Sequence, residues 1–177
     1  MLPEVPLTDG VVTLRPWRPE ESDWYAAQAA DPEILRFTAE PADLTVAAVR
    51  AAIEDMHATR AHAGLVVTDA VSGALLGNAG LARGDGPGTG AVAYWVAPAA
   101  RGRGVATRAV RLLVAYAWEL GLDRVTLWAR VDNTGSRRVA ERAGFRLDRV
   151  EPAGRTVKGE VWDVAHYRLN RPGGPGR

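Results

Sequence analysis

The chain holds 177 residues at a net charge of +1, with 47% hydrophobic residues and no cysteine. That length fits one domain with a real core, and the missing thiols exclude disulfides, thiolate metal sites and a cysteine nucleophile. The near-neutral balance argues against nucleic acid as the main partner, and no apolar run nears the roughly 20 residues of a membrane helix.

The start, "MLPEVPLTDG", lacks the basic patch and apolar block of a secretory leader, so a cytoplasmic enzyme or binder is expected. "VVTLRPW" alternates as a first strand, which Pro16 and Pro19 end before the helix start "EESDWYAAQAA". "DPEILRFTAEP" reads as punctuation. In "DLTVAAVRAAIEDMHATRAH", Leu44, Ala48 and Ala51/Ala52 recur at helical spacing, and Gly64 is the expected stop. "LVVTD" and "ALLGNAGLAR" form strands joined by a short glycine loop, and "GDGPGTG" turns into the strand "AVAYWVAP". A helix follows with Val105, Ala109, Leu112, Leu113, Tyr116 and Leu120 on one face, stopped by Gly121. "DRVTLWARV" is a short strand, "NTGSRRVAERAG" a capped helix, and "FRLDRVEP" and "EVWDVAHYRL" are strands. The tail, residues 171–177, is expected to be disordered, leaving one domain over residues 1–170. The order predicts a mixed α+β fold of about seven strands and four helices, with a parallel strand pair around the helix that begins at Val105.

"RGRGVA", Arg101 to Ala106, opens that helix. Free N–H groups and the positive dipole end attract anions there, and Gly102 and Gly104 let a pyrophosphate approach the main chain. Arg101 and Arg103 add charge beside it. A tight turn with solvated arginines is the plainer alternative. A kinase-type phosphate loop needs Gly-Lys-Ser/Thr, yet Lys158 is the only lysine of the chain. A dinucleotide fingerprint needs a third glycine and an early position in the chain. Coenzyme A remains.

"RGRGVA" after the "YWVAP" strand resembles the Arg/Gln-x-x-Gly-x-Gly/Ala motif of the GNAT superfamily of acetyl-CoA-dependent N-acetyltransferases. "NTGSRRVAERAGF" and the early "LRPW" are similar to the RimJ/RimL-type branch, which holds the ribosomal-protein N-terminal acetyltransferases. The resemblance runs from Val11 to Leu169. It implies a twisted, mostly antiparallel sheet whose central parallel pair splays apart around the pantetheine arm. On that basis Trp95 and Val96 offer main-chain groups to pantetheine, Arg101, Gly102, Arg103, Gly104, Val105 and Ala106 hold the pyrophosphate, and Asn133 bonds the arm. Asn133 is equally a good helix N-cap. An N–H near Val96 is expected to polarise the thioester carbonyl.

Many relatives carry a tyrosine seven positions after the asparagine, where this chain has Ala140. The branch carries a serine three positions on, so Ser136 is the expected proton donor or thiol ligand, with a second capping hydroxyl as the alternative. The strand glutamate that often serves as base is replaced by Val92. Asp163 is a catalytic candidate, alongside His166, Asp31 and Glu33. Asp163 and His166 stand at odd spacing, so they cannot act as a simple pair on one strand face. Trp24 and Phe37 are the expected acceptor-pocket aromatics, whereas Trp128 is expected inside the sheet. His57 and His62 read as surface residues, and no histidine–carboxylate spacing suggests a metal.

The expected reaction is direct acetyl transfer from acetyl-CoA to a protein N-terminal α-amine or a small-molecule amine, with no metal and no membrane partner. A homodimer is common in the branch. Two alternatives stay open: a non-catalytic acyl-CoA sensor, suggested by Val92 and Ala140, and use of a longer acyl group such as succinyl, with Arg36, Arg83 and Arg130 as candidate carboxylate ligands.

Overall fold

The structure is a computed structural model that describes residues 1–59 and 62–173. Eight strands form one sheet: β1 (Leu7–Thr8), β2 (Val12–Pro16), β3 (Ala63–Asp69), β4 (Leu75–Arg83), β5 (Thr89–Val96), β6 (Arg124–Arg130), β7 (Arg146–Val157) and β8 (Glu160–Asn170). Their order is β1-β2-β3-β4-β5-β6-β8-β7, and only β5 and β6 run parallel. The expected mixed α+β class and central parallel pair are present, with β1 as the strand the alternation did not reveal.

Among the described residues five α-helices connect the strands: α1 (Ser22–Ala29), α2 (Pro32–Phe37), α3 (Val46–Thr59), α4 (Val105–Glu119) and α5 (Thr134–Arg142). Helix α2 lies in the stretch expected to be punctuation. Asp31 caps it by accepting from the Glu33 and Ile34 N–H groups, and Pro32 occupies the first turn, where its missing donor costs nothing. Helix α3 buries Val49, Ile53 and Met56, while Ala48, Ala51 and Ala52 are exposed. The larger apolar side chains win the sheet-facing stripe because they remove more surface from water. Gly64 is not a helix stop; it pairs with Gly80 inside β3. The predicted end of α3 crosses residues 60–61, and the expected disordered tail continues into residues 174–177, all outside the described residues.

The core is continuous between the sheet and α4, where Val105, Ala109, Val110, Leu113 and Ala117 are buried. Side chains alternate across a strand, so β5 has two characters. Tyr94 reaches α5 through Ser136, whereas Trp95 packs against Trp24 and Tyr25 of α1. Gly77 of β4 makes the close approach to this strand possible: a Cβ there would lie 2.4 Å from the Trp95 carbonyl oxygen. Among the described residues no helix is long and apolar enough to cross a membrane.

Candidate active site

Strands β5 and β6 pair only from Thr89 to Ala91 against Arg124 to Thr126. Beyond that point each keeps its outer neighbour, β4 or β8, while the two part from one another. A cleft of about 680 Å³ fills the gap and continues to the start of α4 and of α5.

Strand alternation decides which main-chain groups look into this gap. The Ala97 N–H donates to Leu76 O at 2.9 Å, so the ladder to β4 also takes the main-chain groups of Trp95 and Ala93. Those of Val92, Tyr94 and Val96 point the other way. This corrects the expectation for Trp95, whose main chain is turned to β4 and whose contribution is its indole. Val96 stays available, its carbonyl taking a 3.3 Å hydrogen bond from Arg101 Nε.

Gly104 sits at the N-cap of α4 with φ of 75°, in the left-handed region that a side chain resists. Gly102 has φ of 74°, and nothing lies within 4 Å of a Cβ at either glycine. The N–H groups of Gly102, Arg103, Gly104, Val105 and Ala106 have no hydrogen-bond acceptor among the described residues. Gly102, Gly104, Val105 and Ala106 line the cleft and Arg103 does not, and free donors at a positive dipole end fit a pyrophosphate.

Arg101 departs from its expected role. Its guanidinium pairs with Asp31 at 2.5 Å and Glu33 at 2.7 Å, so its charge is already matched by α2 and it acts as a strut between that helix and the cofactor loop. Burial alone would raise the Asp31 pKa, but Arg101 and the Ile34 and Glu33 N–H groups hold it below the ordinary value. Arg103 is exposed and forms no ion pair within 4 Å among the described residues, although its charge is one of the causes that lower the Asp69 pKa.

Asn133 caps α5, accepting from the Ser136 N–H at 2.9 Å, and also lines the cleft. Ser136 Oγ lies 2.9 Å from the Tyr94 hydroxyl, with either atom able to donate. Burial pushes the Tyr94 pKa up to about 12 against a lowering by the Ser136 hydrogen bond, so the phenol stays protonated. Ala140, the position where many relatives are expected to carry tyrosine, is fully buried, and the phenol that reaches Ser136 comes from β5. The period-two pattern 92, 94, 96 carried that signal; what it lacked was a reason to separate Tyr94 from core aromatics.

Other expected residues go elsewhere. Asp163 is exposed, does not line the cleft, and accepts from the Ala153 N–H at 2.8 Å, where a positive φ of 51° bends β7. His166 Nε2 stands 2.9 Å from Glu151 Oε2 without hydrogen-bonding geometry, away from the cleft. Phe37 lines the cleft beneath the Arg36 guanidinium, 4.8 Å from its ring centre. Trp24 does not; it is packed between Trp17 and Trp95. Trp128 is half-buried, lines the cleft and carries Arg155 over its ring, so it is not enclosed in the sheet. Of the three candidate acyl-carboxylate ligands only Arg36 lines the cleft, and it is paired with Asp132.

One residue was not singled out at all. Glu40, between α2 and α3, accepts from the Tyr25 hydroxyl at 2.6 Å and from Trp95 Nε1 at 3.1 Å. Burial and the facing carboxylate push the Tyr25 pKa far above its ordinary value, so Tyr25 is a permanent donor. Lys158, at the tip of the β7–β8 hairpin, donates to the carbonyls of Leu35 and Glu40 and fixes this segment from above.

A splayed parallel pair beside a glycine-opened helix defines a receptor for an acylated, diphosphate-bearing carrier, and the sequence profile described as an acetyltransferase (GNAT) domain matches residues 12–146: the chain belongs to the GNAT acetyltransferase family. Among curated proteins it is 40% identical over 79 residues to "Putative ribosomal N-acetyltransferase YdaF" of Bacillus subtilis, covering 44% of this chain and 43% of that one. The chain thus spans less than half the length of the curated relatives it matches. Among solved structures, a GNAT-family acetyltransferase from Bacillus anthracis superposes with a TM-score of 0.84 at 18% identity, covering 94% of this chain and 98% of that one. The microcin C7 self-immunity acetyltransferase MccE, solved with acetyl-CoA and AMP, gives 0.81 at 20% identity over 93% and 94% of the two chains.

Proposed function

We propose that the protein transfers the acetyl group of acetyl-CoA to a primary amine, a protein N-terminal α-amine or a small-molecule amine, by direct attack with both substrates bound. The observation that carries this reading is the gap between β5 and β6 past Ala91, which ends at the unbonded amides of Gly102 to Ala106. In this reading those amides take the pyrophosphate, the Asn133 side-chain amide bonds the pantetheine arm, and the Val96 N–H donates to the thioester oxygen as it gains negative charge. The neutral amine nitrogen bonds to the carbonyl carbon, the carbon–sulfur bond breaks, and the nitrogen passes its surplus proton to water. The departing sulfur takes a proton from Ser136 Oγ, Tyr94 resupplies Ser136, and Tyr94 recovers its proton from water. Asp163 has no part in it, because it does not line the cleft and its carboxylate accepts the Ala153 N–H.

No carboxylate stands on the cleft face of β5, where Val92 is buried, and the cleft carboxylates Glu33 and Asp132 are paired with Arg101 and with Arg36 and Arg130. An α-amine with a pKa of roughly 7.7 to 8.0 loses its proton far more readily than lysine near 10.4, a gap worth about 3.5 kcal/mol. The site therefore suits an α-amine or another weakly basic amine, in keeping with the ribosomal name of its B. subtilis relative. Thiol release from acetyl-CoA, measured on peptides matched in sequence but offering either an α-amine or a lysine, tests this. Faster α-amine turnover at neutral pH is expected; faster lysine turnover contradicts the preference, and no release on any amine or peptide favours a non-catalytic sensor.

A further inference from the structure

On the opposite side of β5 from the cofactor cleft lies a second cavity of about 340 Å³, between α3 and the sheet. The sheet floor is made of small residues, Gly80, Ala82, Ala91 and Ala93, which leave space beneath Val49 and Ile53 of α3, while Met56 closes one end by accepting the Gly64 N–H at 3.1 Å. The lining is apolar with a few polar groups at its edge, and Glu40 is the carboxylate among them.

Glu40 is held for a purpose its own contacts leave unused. Tyr25 and Trp95 both donate to Oε1, and Oε2 has no hydrogen-bond partner among the described residues. No arginine, lysine or histidine among them forms an ion pair with this carboxylate, since Lys158 is spent on main-chain oxygens. A half-buried carboxylate with one free oxygen, flanked by the rings of Trp95 and Tyr25, complements a cation that can also lie against aromatic faces. The two cavities are joined through β5: Ala93 borders both, and Trp95 borders the cleft while its indole holds Glu40.

We propose that Glu40 is the anchor for the ammonium form in which the acceptor first binds, the nitrogen losing that proton to water before it attacks, and that the α3 chamber takes an apolar group carried by it, which makes the acceptor a primary amine with a bulky apolar substituent. The inference rests on the acetyl-transfer reading for its meaning, but its test reads binding rather than turnover. 2-Phenylethylamine, ethanolamine and uncharged 2-phenylethanol are titrated into the CoA-saturated protein, followed by calorimetry and by tryptophan fluorescence. The amine is expected to bind about tenfold or more tighter than either control, and E40Q is expected to lose about tenfold of that affinity while E40D recovers part of it. Equal affinity for amine and alcohol, or an E40Q protein that binds as the parent does, overturns the proposal. Should E40Q fail to fold, Ala52→Phe narrows the chamber from an exposed position on α3. It is expected to weaken 2-phenylethylamine by about fivefold or more relative to ethylamine, and an unchanged ratio overturns the chamber assignment. Thiol release on amines that ignore Glu40 would sink this inference and leave acetyl transfer standing; amine binding without thiol release on any acceptor would do the reverse.

Discussion

Along β5, Val92, Tyr94 and Val96 turn to the gap beside β6, while Ala91, Ala93 and Trp95 turn to α1 and α3, and the two faces are assembled from different materials. The gap face is a backbone device: unpaired strand groups, a left-handed Gly104 and free helix-start amides, all within a short stretch of chain. The α1–α3 face is a side-chain device gathered from Trp17, Tyr25, Glu40, Asn78 and Trp95, with Trp17 Nε1 donating to Asn78 Oδ1 across 61 positions. Backbone devices tolerate change where the main chain is kept, whereas side-chain devices can be rebuilt one residue at a time. That difference lets one cleft geometry accompany many acceptor pockets.

The comparison can be broken first at Gly104. A valine there forces a β-branched residue into the left-handed region, at about 1–2 kcal/mol of stability, and puts a side chain into the open space proposed for the pyrophosphate. Acetyl-CoA affinity measured by calorimetry is expected to fall by roughly thirtyfold or more, the largest effect of the set. Retained affinity in G104V would remove the backbone receptor from the account.

Removing the hydroxyl in Ser136→Ala is expected to lower kcat by about tenfold, at the weak end for a general acid because a thiol with pKa near 8.5 leaves readily as thiolate. KM for acetyl-CoA should change little. Tyr94→Phe keeps the ring packing and cuts only the second hydroxyl, so its kcat loss should be smaller than that of S136A. A larger loss in Y94F would make the phenol the direct donor.

Asp31→Asn sharpens the link between the two faces, since asparagine caps a helix as well as aspartate and only the charge facing Arg101 is lost. The expected cost is about 1 kcal/mol or less, because the Arg101 side chain is 33% exposed and the pair is screened. The folded-state pKa of Asp31 is depressed, so its stabilisation is present above the ordinary value of 3.8 and is lost as the pH falls through the folded value. Melting curves of the parent and D31N should therefore differ at neutral pH and converge in acid below that ordinary value. Asp163→Ala closes the series: with its carboxylate committed to Ala153, kcat should stay within about twofold.

The same division explains what could be read from the chain alone. "RGRGVA" and Val105 to Glu119 were legible because a turn, two glycines and an apolar stripe are local facts. Asn133 is legible for the same reason as the N-cap of α5, whereas Ser136 is singled out only by the family resemblance. Arg101 was read as a phosphate ligand because its partners Asp31 and Glu33 lie some 70 positions away in a helix hidden by Pro32. Glu40 carried no local signal, since it precedes Pro41 in a connecting segment and gains its place only when α1, β5 and the β7–β8 hairpin converge on it. Trp95 was placed by strand position but not by strand phase, and the phase follows from the ladder to β4.

Titration of acetyl-CoA into isotope-labelled protein, followed by backbone amide resonances, tests the central claim most directly. The account predicts saturable binding with its largest shifts at Val96 and at Gly102 to Ala106, together with the Asn133 side-chain amide. Acetyl-CoA binding that left those amides unmoved, or no binding at millimolar ligand, would contradict it.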